Sequence, residues 1–401
     1  MRLDAPPAPR SIEPRHDVPG LDAVRGFAAF AVLATHVGFL TGETSAGALG
    51  AVLARLDFGV AVFFLLSGFL LFRPWVLSWF GEAQAVNTRS YAIRRLLRIL
   101  PLYWLVLAIV LLAVPANHAM SGVTITLNVA LLQVYVPNAL PQALTQAWSL
   151  ATEASFYVAL PLIAWLARRV ALRPSASGAQ VRAGTALALL AVLSLAGTAF
   201  VAVARAPGSP LPEASGFWLP YTIAWFAIGM ALALLQVAAS KGALPRLTRP
   251  LASLGPYLGT CWTVALLAYL LAATPIAGPR AFEATIEPWS AVAKLWLYGI
   301  AAAFILIPLV MEPRGTTLGR RILQSRTARW FGNTSYGVFL WHLVILEGVM
   351  FVLGLEPFGG GFWLVLVLTY AATLSVSYLT FVVLETPMNR VARRATASPR
   401  T

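Results

Sequence analysis

Residues 58–80 read FGVAVFFLLSGFLLFRPWVLSWF, with one charged side chain, Arg73, in the whole stretch. A helix of that length exceeds the roughly 30 Å of hydrocarbon in a bilayer, and so continuous an apolar run has no place in a water-soluble globule. Runs of the same kind recur at about 26–41, 96–114, 147–167, 184–204, 217–239, 251–273, 291–311, 331–353 and 362–384. They predict ten spans. The whole chain agrees: of 401 residues 59% are hydrophobic and only 11% charged, against about 25% charged in soluble domains. The expected fold class is an all-α integral membrane protein, a bundle of about ten transmembrane helices with no soluble domain.

The formal net charge of +14 is distributed among short loops. Only Lys241 and Lys294 are lysines, and the basic residues form neither a block nor an aromatic-interleaved stripe, which excludes nucleic-acid binding. The single Cys261 can build neither a disulfide framework nor a zinc site, and no metal is expected. A twelve-residue apolar stretch, 125–136, is too short to cross, and charge decides its role. Positive residues should lie on the cytoplasmic side. Arg89, Arg94, Arg95 and Arg98, then Arg168, Arg169 and Arg173, then Lys241, Arg246 and Arg249, then Arg320, Arg321, Arg326 and Arg329, then Arg390, Arg393 and Arg394 all fall there only if 125–136 is re-entrant or interfacial. Both termini are then cytoplasmic and the location is the cell membrane. The expected division is a disordered cytoplasmic tail over 1–20, a transmembrane domain over 21–390 and a cytoplasmic tail over 391–401, without signal peptide.

An ionisable side chain inside a span costs a few kcal/mol or more, which makes each a functional candidate. Arg25 and His36 lie 11 residues apart, close to three turns, so they share a helix face about 16 Å apart along the axis. Arg25 also suits a positive-inside anchor, and His36 an interhelical hydrogen bond. Glu153, about two turns into its span beside Trp148 and Ser149, lies at a depth similar to that of His36, as a base or orienting partner. His342, after Tyr336 in the same segment, suits packing as well as catalysis. Arg95 and Arg98, at i and i+3, suit a phosphate clamp or plain topology signalling. Ser67 beside Gly68 suits close helix approach.

Together and in this order, LDAVRGFAAFAVLATH at 21–36, FGVAVFFLLSGFLL at 58–71, RRLLRILPLY at 94–103, WSLATEASFYVALP at 148–161, SYGVFLWH at 335–342 and ETP at 385–387 resemble the membrane-bound acyltransferase-3 family. That group includes bacterial surface-glycan O-acetylases and macrolide acyltransferases. The resemblance implies transfer of an acyl group, acetyl or another short one, from cytoplasmic acyl-CoA to a hydroxyl of a sugar or macrocyclic natural product. It implies His36 as general base, Glu153 or Asp22 as its orienting acid, and Arg25, Arg95 and Arg98 as the acyl-CoA clamp. Ser67, Trp148, Ser149, Tyr336 and His342 are further candidates for substrate or structural roles. Ala61 stands where many members carry an acid, and Leu343-Val344 where Trp-Pro is common. No appended hydrolase-like domain is evident, so transfer within a single bundle is expected. The competing reading is a proton-coupled transporter or flippase of a small or lipid-linked polar molecule, with His36 and Glu153 as a proton relay.

Overall fold

The computed structural model describes residues 18–45, 47–175, 178–280, 286–312 and 316–396. Most of the tail expected over 1–20, and residues 397–401, lie outside them. The helices are α1 (Leu21–Leu40), α2 (Gly47–Leu53), α3 (Gly59–Trp79), α4 (Thr88–Ala113), α5 (Gly122–Val129), α6 (Ala147–Ala171), α7 (Ala183–Ala204), α8 (Leu219–Ser240), α9 (Pro245–Ser253), α10 (Leu258–Ala272), α11 (Pro288–Met311), α12 (Leu318–Leu323), α13 (Arg326–Leu353), α14 (Phe362–Thr380) and α15 (Thr386–Ala395). One antiparallel hairpin, β1 (Leu172–Ser175) with β2 (Gly178–Val181), interrupts the α-helical architecture in the loop after α6, with Leu172 opposite Val181.

Nine helical segments among the described residues are long and apolar enough to cross a membrane. The tenth expected span, 251–273, is a bent pair: α9 and α10 meet at 97°. Gly255-Pro256 falls at the break, where proline cannot donate to a continuing helix and restricts the residue before it. The 125–136 stretch is non-spanning, as expected. It consists of the eight-residue α5 and a short 3-10 turn, Gln133–Tyr135. The Tyr103 hydroxyl donates to Asn128 O at 2.8 Å, which ties α5 to α4. At the other end of the chain α14 runs through a π turn, Phe381–Glu385, into α15, so residues 391–395 are helical.

Helix ends are specified locally. Asn87 caps α4 by accepting from the Ser90 amide at 3.0 Å, and Ser325 caps α13 through the Ala328 amide at 3.1 Å. Two buried arginines tie down carbonyls that helix ends leave free. Arg55 donates to Ala272 O and Gly278 O, and Arg320 to Gly255 O, Pro308 O and Glu312 O. Arg320, which the loop-charge pattern counts as a topology signal, is also a packing residue. Large apolar side chains such as Leu112, Val158 and Phe351 stand exposed all around the bundle, a surface suited to lipid.

α3 packs most extensively against α8, and α1 against α13. Glycine makes the first contact possible, because a Cβ on Gly229 would collide with the Leu65 carbonyl and one on Gly68 with the Phe226 carbonyl. Gly229→Val is therefore expected to destabilise the bundle by roughly 1–3 kcal/mol, the cost typical of overpacking. A lowered melting temperature in detergent checks this; an unchanged one would show that the helices separate freely. Three apolar clusters result, centred on α3 and α8, on α4 and α6, and on α1, α13 and α14.

Candidate active site

Where α1, α3, α4, α6 and α13 converge, a cavity of about 90 Å³ opens in the bundle. Its lining brings together Arg25 from α1, Ser67 from α3, Arg95 and Arg98 from α4, Ser149, Glu153 and Tyr157 from α6, and Tyr336 from α13. Most residues singled out from the sequence thus meet at one place, although they lie up to about three hundred positions apart. Three guanidinium groups and one carboxylate face this space. Like charges in a poorly solvated interior repel, so the arrangement is held by its surroundings.

Glu153 accepts a hydrogen bond from Ser67 Oγ, and Tyr157, one turn further along α6, lies beside it in the same cavity wall. The Arg95 guanidinium lies 6.0 Å from the Tyr157 ring centroid, within cation–π range. Its Nε is buried with no hydrogen-bond partner. Arg25 pairs with Asp22 at 3.8 Å, in the i, i+3 geometry of α1. The Tyr336 hydroxyl donates to Ile99 O at 2.7 Å, bracing α13 on α4 directly after Arg98. Ser149 Oγ bonds back to Gln146 O at 3.1 Å. Trp148 is not among the cavity residues; its ring lies tilted against Phe217 at 5.1 Å and meets Phe64 edge-on.

His36 stands apart from the cavity lining. Its Nδ1 lies 2.7 Å from Val32 O, so Nδ1 carries the proton and Nε2 is left as an acceptor. Neither Glu153 nor Asp22 bonds to the imidazole; a backbone carbonyl of its own helix orients it instead. The reason is packing: α6 lies mainly against α3, α7 and α8, so Glu153 meets Ser67 on α3, and Asp22 sits on the first turn of α1 beside Arg25. The ring next to His36 is His342 of α13, with centroids 5.0 Å apart. Phe63 and Phe339 form the part of the cavity wall nearest this pair: they meet edge-on at 6.3 Å, and Phe339 lies 6.1 Å from His342.

Two residues of the region escaped the sequence reading. Tyr157 is four residues after Glu153 and so on its helical face, a spacing that could have found it. Glu385 is buried, with Oε1 unpartnered, in the field of Arg98 and Arg25. It closes the π turn after α14, a feature that recurs at functional sites. A second polar cluster, Asp57 with Lys294 at 2.8 Å and Tyr298, joins α11 to the turn before α3. No group of three or more His, Cys, Asp or Glu that could hold a metal occurs among the described residues.

Fold and cavity define a class: a polytopic helical bundle with an arginine-lined cavity in its interior. Residues 18–382 match the acyltransferase 3 family, described as an acyltransferase domain, and the chain belongs to that family. It is 24% identical over 392 residues, 94% of its length, to peptidoglycan O-acetyltransferase OatA of Listeria monocytogenes, covering 56% of that protein. It is 29% identical over 231 residues, 54% of its length, to acyltransferase MdmB of Streptomyces mycarofaciens, covering 57% of that protein. The chain thus spans little more than half the length of these curated relatives. No solved structure matches it.

Proposed function

We propose that this chain is a membrane O-acyltransferase that moves a short acyl group, acetyl foremost, from cytoplasmic acyl-CoA to a hydroxyl of a sugar or of a glycosylated or macrocyclic natural product. The observation that carries the reading is the convergence of Arg25, Arg95 and Arg98 on one cavity. The unpartnered Arg95 Nε is a donor in want of an acceptor, and guanidinium groups suit phosphate oxygens. Buried ionisable groups serve transporters as well, but three guanidiniums beside one carboxylate favour an anionic ligand.

In this reading the arginines hold the phosphates of acyl-CoA at the cytoplasmic end, and Glu153, hydrogen-bonded by Ser67, supplies the one negative charge among them. The thioester arm extends past Phe63 and Phe339 toward His36. His36 Nε2 removes the proton of the acceptor hydroxyl as its oxygen bonds to the thioester carbon. The carbon–sulfur bond then breaks, and the sulfur takes the proton back from Nε2. The products are an ester and free CoA thiol. Apolar walls keep water from the thioester.

Purified protein incubated with labelled acetyl-CoA and, in parallel, a peptidoglycan fragment, a simple glycoside or a macrolide is expected to yield a labelled ester with at least one acceptor. Saturable acetyl-CoA binding without ester formation from any acceptor class would leave the family fold without this activity. Orientation has its own test. In a Cys261→Ser background, a cysteine at Asn138 is expected to react with an impermeant thiol reagent on intact cells, and one at Arg173 only after permeabilisation. Equal labelling of both on intact cells would refute the placement of the arginine-rich end in the cytoplasm.

A further inference from the structure

His342 has a burial that the cavity does not explain. The side chain is fully enclosed, and Nε2 has no hydrogen-bond partner. A nitrogen left so in an apolar interior is costly. Nδ1 lies 2.7 Å from Phe339 O and 3.2 Å from Val338 O, which places the proton on Nδ1 and the lone pair on Nε2. His36 is built the same way, with Nδ1 on Val32 O. Two parallel helices, with Asp22 against Gly332 near their starts and His36 against His342 further along, thus bring together two imidazoles of the same tautomer, 5.0 Å between centroids and tilted by 50°. Each has an acceptor nitrogen to spare, and no hydrogen is available between them until a substrate supplies one.

We propose that His342 is a positioning residue for His36, and that the two imidazoles act as one unit holding the proton taken from the acceptor hydroxyl. The inference rests on the reading of His36 as the base. The O–H bond breaks and an Nε2–H bond forms on His36. His342 Nε2 accepts a hydrogen bond from it, and the acceptor oxygen bonds to the thioester carbon. When the carbon–sulfur bond breaks, the sulfur takes that proton, and both imidazoles are again neutral. Two imidazolium ions at this separation in a poorly solvated interior would repel strongly, so the unit carries one added proton. His342 confines that proton to one direction and keeps the imidazolium from being desolvated without a partner.

His342→Phe keeps an aromatic ring and removes both nitrogens. It is expected to lower kcat for acetyl transfer about 10- to 100-fold, at or below the lower end of a full proton-transfer contribution because His342 acts through His36, with KM for acetyl-CoA unchanged. His342→Gln, whose side-chain oxygen can accept a hydrogen bond, is expected to recover part of the loss. The double variant His36→Ala/His342→Phe should be no slower than His36→Ala alone, because the second change has nothing left to act on. The dependence of kcat on the D2O fraction should be curved in the wild type and linear in His342→Phe. Wild-type kcat in His342→Phe overturns the inference. So does a double variant slowed by the same further factor as the single one, which is the signature of packing alone. If His342→Phe does not give a folded protein, His342→Gln bears the test, and a linear D2O dependence identical to that of the wild type refutes the shared proton. Wild-type transfer in His36→Ala would remove the base reading itself, whereas a full effect at His36 with none at His342 removes only this inference.

Discussion

His36→Ala is expected to reduce acyl transfer by about 10²- to 10⁴-fold while leaving acyl-CoA affinity within a factor of two of the wild type. The magnitude is that of a positioned general base. The separation of effects follows from the geometry: His36 stands outside the arginine-lined cavity, beyond Phe63 and Phe339, and contacts none of the three guanidiniums. Its removal leaves a hole beside His342 without disturbing Arg25, Arg95 or Arg98. The check is a pair of measurements on one preparation, single-turnover transfer and calorimetric titration with acetyl-CoA. Near-wild-type transfer would refute the role of His36. A parallel loss of affinity would place His36 in the donor site instead.

Replacing both Arg95 and Arg98 by Gln is expected to do the opposite. Each charge-assisted hydrogen bond contributes about 1.5–3 kcal/mol, so losing two should weaken acyl-CoA binding by about 10²-fold or more. Glutamine is shorter but keeps a polar, uncharged side chain, which limits the structural cost. Arg95 is half-buried against Tyr157 and Arg98 adjoins the Ile99 carbonyl that holds Tyr336, so thermal melting must accompany the titration. Unchanged affinity in a folded double variant would contradict the clamp and favour the transporter reading. Undiminished turnover at saturating donor would be consistent with the clamp, since uniform binding is all that was removed.

The two experiments separate what different parts of the sequence revealed. Arg25, Arg95, Arg98 and Glu153 could be found because charge within an apolar helix is costly and rare, and their depths follow from counting residues along each span. The partner of Glu153 could not. At similar depth, Glu153 and His36 read as neighbours, yet α6 packs across α3 and gives Glu153 to Ser67. Nothing in the local sequence of Glu385 shows that its helix bears a π turn that directs it toward Arg98 and Arg25. Ser67 beside Gly68 has the sequence signature of a packing residue. It is both a cavity residue and a neighbour of the close α3–α8 contact.

The amino-acid sequence by itself determined the helical membrane fold, the non-spanning nature of 125–136 and the residue types that line the cavity. Hydrophobic length, loop charge and helical periodicity are local properties that need no knowledge of neighbours. Tertiary structure alone decided the rest. It bent 251–273 at Gly255-Pro256, set His342 against His36 and left the carboxylates with other partners. Periodicity fixes which residues share a face of one helix, but the direction in which that face points depends on how each helix rolls against the others. In this bundle that roll is set by contacts between distant residues, Gly229 against Leu65 and Gly332 against Asp22 among them.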